Sequence, residues 1–190
     1  MKMTLKLFKK DRPPIIEFRK AFTLSVYFVR PWSNWDLYAW AIRLFIWAPY
    51  CHTAIGFKDF IFESVARGAV WTSLKRFNAK NKVIAKFDIQ LNQTQYTKLC
   101  ALCKTVEKTP YDWRAVMGLA MTRLRALFGS KSTTNVVQNG RRYMFCSELA
   151  YILLCDLGIL DAKVQSDFLD PKRFLRYLEA AKDARIVRKF

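Results

Sequence analysis

In the first half of the chain, apolar residues run or alternate in short stretches. In the second half they recur at helical spacing. Phe22 to Arg30 (FTLSVYFVR) is rich in β-branched and aromatic residues and predicts a strand, closed by Pro31. Ser33 predicts the N-cap of a helix over 35–47. One face of that helix carries Trp35, Tyr38, Ala39, Ile42 and Ile46, another carries Trp40, Arg43 and Trp47, and Pro49 ends it. HTAIGF (52–57) and FIFESV (60–65) read as strands joined at Lys58-Asp59, with a turn at Arg67-Gly68. Further strands are predicted over 70–74 and 82–91, and helices over 92–109 and 113–128, the second with Gly129 as its cap.

Residues 129–142 are polar and predict a loop. Leu149, Ala150, Leu153, Leu154 and Leu157 then form the apolar face of a helix that starts near Cys146 and stops at Gly158. Asp170-Pro171 is an N-cap and N1 pair for a last helix over 171–182, and 186–190 predicts an edge strand. The pattern as a whole predicts an α+β fold, a small antiparallel sheet packed with helices. Residues 1–20 read as a basic arm in which Pro13-Pro14 precludes a continuous helix, and 21–190 as a single domain.

Composition bounds the function. The 190 residues are 52% hydrophobic, enough for a core and against a disordered chain. Lys and Arg number 33 against 15 Asp and Glu, a net charge of +18. Such a charge favours an anionic partner: nucleic acid, a membrane surface or a wall polymer. The basic residues are scattered and form no nucleic-acid motif, so charge alone selects none of these. Five cysteines, an odd number beside an ordinary core, argue for a reducing compartment rather than a disulfide framework. The N-terminus lacks the pattern of a secretory signal, and Arg43, Pro49 and His52 interrupt the most apolar stretch. The expected location is the cytoplasm, with peripheral membrane association as an alternative.

Three residues carry candidate chemistry. His52 is the only histidine. A hairpin loop of two or four residues centred on Lys58-Asp59 pairs residue 54 with Glu63. His52 and Glu63 are then diagonal neighbours on one face, with Cβ atoms about 7 Å apart, a gap long polar side chains bridge. A carboxylate there holds the imidazole tautomer and stabilises imidazolium. An odd loop length would send Glu63 to the other face. Cys146 stands where a helix begins, so the helix dipole and backbone N–H groups lower its pKa. Cys155 lies inside the same apolar helix and reads as inert, and Cys51 is expected to point away from the His52 face. Cys100 and Cys103 form a CxxC within a helical pattern, with no second pair to complete a zinc site, so neither metal nor cofactor is expected.

The run AIRLFIWAPYCHTAIGF, then FIFESVARGAVWTSL, TPYDW, FCSELAYILL and DPKRF, resembles the permuted papain-like amidases of the NlpC-like superfamily. The order and rough spacing match from about Phe22 to Arg176. The resemblance implies a circularly permuted papain-like fold in which the histidine strand precedes the cysteine helix. It implies Cys146 as nucleophile, His52 as base and Glu63 as the polar third residue. Tyr111 and Asp112 fall on the family's Tyr-Asp pair. The implied activity is hydrolysis of a peptide or isopeptide amide through a thioester acyl-enzyme. Two other readings stay open. One is a lipid-directed thiol acyltransferase or esterase, which Trp40 and Trp47 favour; Tyr111, Trp40 and Trp47 are the candidate substrate-binding residues. The other is a non-catalytic basic protein that binds nucleic acid or an acidic partner on the same scaffold.

Overall fold

A computed structural model describes residues 22–33, 37–127, 142–162, 166, 169–181 and 186–189. The predicted basic arm, the loop over 129–141, Gly129 and Trp35 lie outside the described residues. The elements are β1 (Phe22–Pro31), α1 (Leu37–Ile46), β2 (His52–Phe57), β3 (Phe60–Val65), β4 (Gly68–Ser73), α2 (Leu74–Lys80), β5 (Asn81–Leu91), α3 (Gln93–Val106), α4 (Trp113–Leu127), α5 (Cys146–Asp156), α6 (Pro171–Ala180) and β6 (Ile186–Lys189). The fold class is mixed α+β, as expected. Among the described residues the sheet has six strands in the order β4-β3-β2-β1-β5-β6, every pair antiparallel, one for each predicted strand and with β6 at the edge as expected. Its last strand comes from the C-terminal end of the chain.

Strand alternation divides the sheet into two faces. Leu24, Val26 and Phe28 of β1, Ile55 of β2 and Phe62 of β3 face the main core. There they meet Leu149, Ala150, Leu153 and Leu154 of α5, Leu99 and Cys103 of α3, and Phe174 and Leu178 of α6. Tyr27, Val29, Ala54 and Ile61 face the other way and are covered by Phe77 of α2. The sequence pattern does not reveal α2, because LKRFNAK has one fully buried side chain and no apolar stripe. Ser73 starts it by accepting the Arg76 N–H.

The apolar stripe of α5 predicts one buried face, yet every residue from Cys146 to Leu154 is buried. The helix is therefore central, and its polar side chains must be satisfied inside. Ser147 Oγ donates to the Leu169 carbonyl at 2.6 Å. Glu148 accepts from Ser166 Oγ at 3.1 Å and from the Phe145 N–H at 3.4 Å. The start of α5 is tied to the sheet by Ser64 Oγ, which donates to the Met144 carbonyl at 2.6 Å.

Gly68 opens β4 with φ +102°, and a Cβ there would lie 2.7 Å from the Thr109 carbonyl oxygen. The close approach allows Ala69 N–H to donate to Thr109 and Lys108 N–H to donate to Ala69, fastening the segment before Tyr111 to the sheet. Gly68→Ala meets both the left-handed backbone and the clash. It is expected to destabilise the fold by roughly 2–3 kcal/mol in urea unfolding. An unchanged midpoint would mean that this seam carries no strain.

Candidate active site

The hairpin pairs Ile55 with Phe62, Gly56 with Ile61 and Phe57 with Phe60 around a two-residue turn, the even-loop register considered above. His52 and Glu63 therefore meet diagonally on one face. His52 Nε2 lies 2.9 Å from Glu63 Oε2. Glu63 is buried, and its other oxygen accepts from Thr72 Oγ1 at 2.8 Å. Thr72 is diagonal to Glu63 across the β3–β4 pairing, where Glu63 faces Val70. One carboxylate thus takes a donor from each neighbouring strand.

Cys146, 4% exposed, is the first residue of α5 and shares a hydrogen bond with His52. Nε2 is taken by Glu63, so Nδ1 is the ring atom left for the thiol. Burial pushes the Cys146 thiol up. The His52 hydrogen bond and charge, and the backbone N–H groups of Thr53 and Ser147, outweigh burial and bring it below its ordinary value of 9.0. Burial alone would lower His52. Its hydrogen bonds to Cys146 and Glu63, and their charges, instead raise it from 6.5 to about 10. For Glu63, burial is likewise outweighed, by His52 first, then Thr72 and Arg67, and the carboxyl sits below its usual 4.5. The three shifts describe a thiolate–imidazolium pair backed by a carboxylate.

Two hollows meet at this pair. A cleft of about 450 Å³ is lined by His52, Glu63, Thr72, Arg67, Arg76 and Lys80, among others. A small apolar hollow of about 40 Å³ is lined by Cys146, Phe145, Val116 and Leu119. Cys51 and Tyr111 line both. Cys51 was expected to face away from His52. It precedes the first residue of β2, so strand alternation does not bind it, and it is buried at the site. Asp112 is structural: its Oδ1 accepts the Ala115 N–H at 2.7 Å and caps α4. That cap sets Tyr111 against Trp113, with ring centroids 4.7 Å apart.

Trp40 and Trp47 stand apart from both hollows. They are 54% and 80% exposed and line a separate shallow depression with Arg43, Leu44 and Ala48. Trp47 ends α1 with φ +51°, and its carbonyl accepts from Lys172 Nζ at 3.0 Å. Residues that sequence reasoning passed over include Thr72, the Thr53 N–H, Trp113 and the basic trio Arg67, Arg76 and Lys80. Thr72 had a signal, since pairing β3 with β4 in register sets it diagonal to Glu63. The trio had none, because its members converge only through α2. None of the five cysteines is in a disulfide, and burial pushes Cys103 up to about 12. Among the described residues no helix is long and apolar enough to cross a membrane.

No protein-family model matches the chain, and no curated protein sequence matches it.

Proposed function

We propose that the protein is a cysteine hydrolase of permuted papain-like type that cleaves a peptide or isopeptide amide through a thioester acyl-enzyme. The observation that carries the reading is the single chain of contacts from Cys146 through His52 to Glu63. In this mechanism the Cys146 thiolate attacks the carbonyl carbon. Negative charge gathers on the carbonyl oxygen beside the start of α5, where the backbone N–H groups stabilise it. His52, already protonated, gives its proton to the departing amine. Water, deprotonated by the now neutral His52, then attacks the thioester and releases the acid and the thiol. Glu63 keeps the ring oriented and offsets the imidazolium charge throughout.

The test is acyl-enzyme mapping. The native protein is mixed with 4-nitrophenyl acetate, quenched in acid, digested and analysed by mass spectrometry. One acetyl group per chain on the Cys146 peptide is expected. Acetylation spread over Cys100 and the other cysteines, at the rate of a small-molecule thiol, would exclude the reading.

One observation favours the same chemistry on a lipid acyl ester. Trp40, Leu44 and Trp47 on α1, and Trp113, Met117 and Met121 on α4, are all exposed. Both helices also border the small hollow at Cys146, through Phe45 and Ile46 and through Val116 and Leu119. Exposed Trp on a strongly basic protein suits an anionic bilayer surface. On this second reading, Trp40→Ala/Trp47→Ala weakens binding to phosphatidylserine vesicles about tenfold in 0.5 M salt, where charge attraction is screened. Equal sedimentation of variant and wild type with the vesicles would remove it.

A further inference from the structure

We infer that the cleft beside His52 is an anion-binding subsite for the leaving-group half of the substrate, and that this half bears a carboxylate or phosphate. The inference rests on the acyl-transfer reading above and names the substrate class it leaves open.

The side of the site follows from proton transfer. His52 must hand its proton to the departing nitrogen or oxygen, so the leaving group lies against the imidazole. The cleft lined by His52 and Glu63 is therefore the leaving-group side. The hollow lined by Cys146, Phe145, Val116 and Leu119 is the acyl side. At about 40 Å³, that hollow takes only a small apolar group.

The charge of the leaving-group side follows from its walls. Arg67 comes from the turn between β3 and β4, and Arg76 and Lys80 lie one helical turn apart on α2. None of these three side chains is in an ion pair among the described residues. Among the described residues, the only acidic one lining the cleft is Glu63, and its two oxygens are already engaged by His52 and Thr72. The thiolate and imidazolium cancel, so three cations face one spent carboxylate. Unpaired cations converging on a cleft leave an anion as the complementary ligand, and the arginine forks suit planar or tetrahedral oxyanions. A solvated basic surface would not need α2 and the β3–β4 turn to close on the same hollow as the catalytic histidine.

The test uses two activated esters, 4-acetoxy-3-nitrobenzoate and 4-acetoxy-3-nitrobenzamide. In each, the Cys146 thiolate takes the acetyl group and the nitrophenolate leaves and is read by absorbance. The leaving groups differ in one negative charge. The ratio of the two rates, each corrected for Cys146→Ala background, is compared among wild type, Arg67→Gln/Arg76→Gln and Lys98→Gln/Lys104→Gln. The last removes the same charge from exposed positions on α3. The arginine variant is expected to lower the benzoate-to-benzamide ratio about tenfold, and the lysine variant to keep the wild-type ratio. Equal ratios in the two variants would overturn the subsite. If Cys146 fails to react with even the neutral ester, the acyl-transfer reading falls, and equilibrium dialysis with 4-hydroxy-3-nitrobenzoate decides the subsite alone. Binding lost in the arginine variant, and displaced from wild type by benzoate or phenyl phosphate, supports it. Binding that persists in the variant, or that neither competitor displaces, overturns it.

Discussion

His52→Ala is expected to slow alkylation of Cys146 by iodoacetamide at pH 6 roughly 10- to 100-fold. At that pH only about one ordinary thiol in several hundred is ionised. In the native protein the thiolate is held by the imidazolium and by the Thr53 and Ser147 N–H groups, so it is present below the usual value of 9.0. Part of the gain is returned, because a stabilised thiolate is a weaker nucleophile. The pH dependence is the diagnostic feature. The native rate should rise less steeply between pH 6 and 9 than the variant's, which should climb steadily and catch up near 9. Rates are read at the Cys146 peptide by mass spectrometry after timed quenching. Parallel profiles for the two proteins would show that the histidine does not activate the thiol.

Thermodynamic stability should carry the mirror image of that ionisation. The raised pKa of His52 stabilises the fold fully below 6.5, and that contribution is lost as pH rises through 6.5 towards about 10. The depressed pKa of Cys146 does the opposite. Its contribution is absent below the folded pKa, grows as pH rises, and is complete above 9.0. Below 9.0, and above both 6.5 and the folded pKa of Cys146, the two slopes cancel, because folding moves a proton from thiol to imidazole without taking one from solvent. Wild-type stability should therefore be level across that window. It should fall on the acid side, where Glu63 adds to the loss as pH drops through its own depressed pKa. Cys146→Ala removes the thiol's slope. His52 keeps Glu63 as a partner but loses Cys146, the larger of the two contacts that raise it, so only a reduced His52 slope remains in the variant. The gap between wild type and variant should therefore widen from pH 6 to pH 9. Urea unfolding at pH 6, 7.5 and 9 measures this, and a constant difference across the three would refute the ion pair.

The hairpin was legible because its physics is local. Any even loop length centred on Lys58-Asp59 gives the same register, so Glu63 falls diagonal to His52 by counting. The start of α5 was legible for a similar reason: the apolar spacing that begins at Leu149 needs a helix start about one turn earlier, at Cys146. The missing parts depend on tertiary placement. Helix α2 buries only Phe77, too little to leave a periodic mark, and without α2 the positions of Arg76 and Lys80 relative to His52 cannot be known. Trp40 and Trp47 were rightly separated from the buried face of α1. Helical spacing says which face a residue occupies, however, and not which hollow that face borders.

The site is assembled from parts of very different reach along the chain. His52 and Glu63 are 11 residues apart and come together as soon as one hairpin closes. The seam that brings α5 to the sheet, Ser64 to Met144, spans 80 residues. Closing so long a segment is entropically costly, and it is compensated only when the whole core packs. The charge pair at Cys146 therefore cannot exist in a partly folded chain, even one whose hairpin is intact. Thiolate reactivity at neutral pH becomes a reporter of complete folding, and an unfolded or misassembled molecule carries only an ordinary, slow thiol.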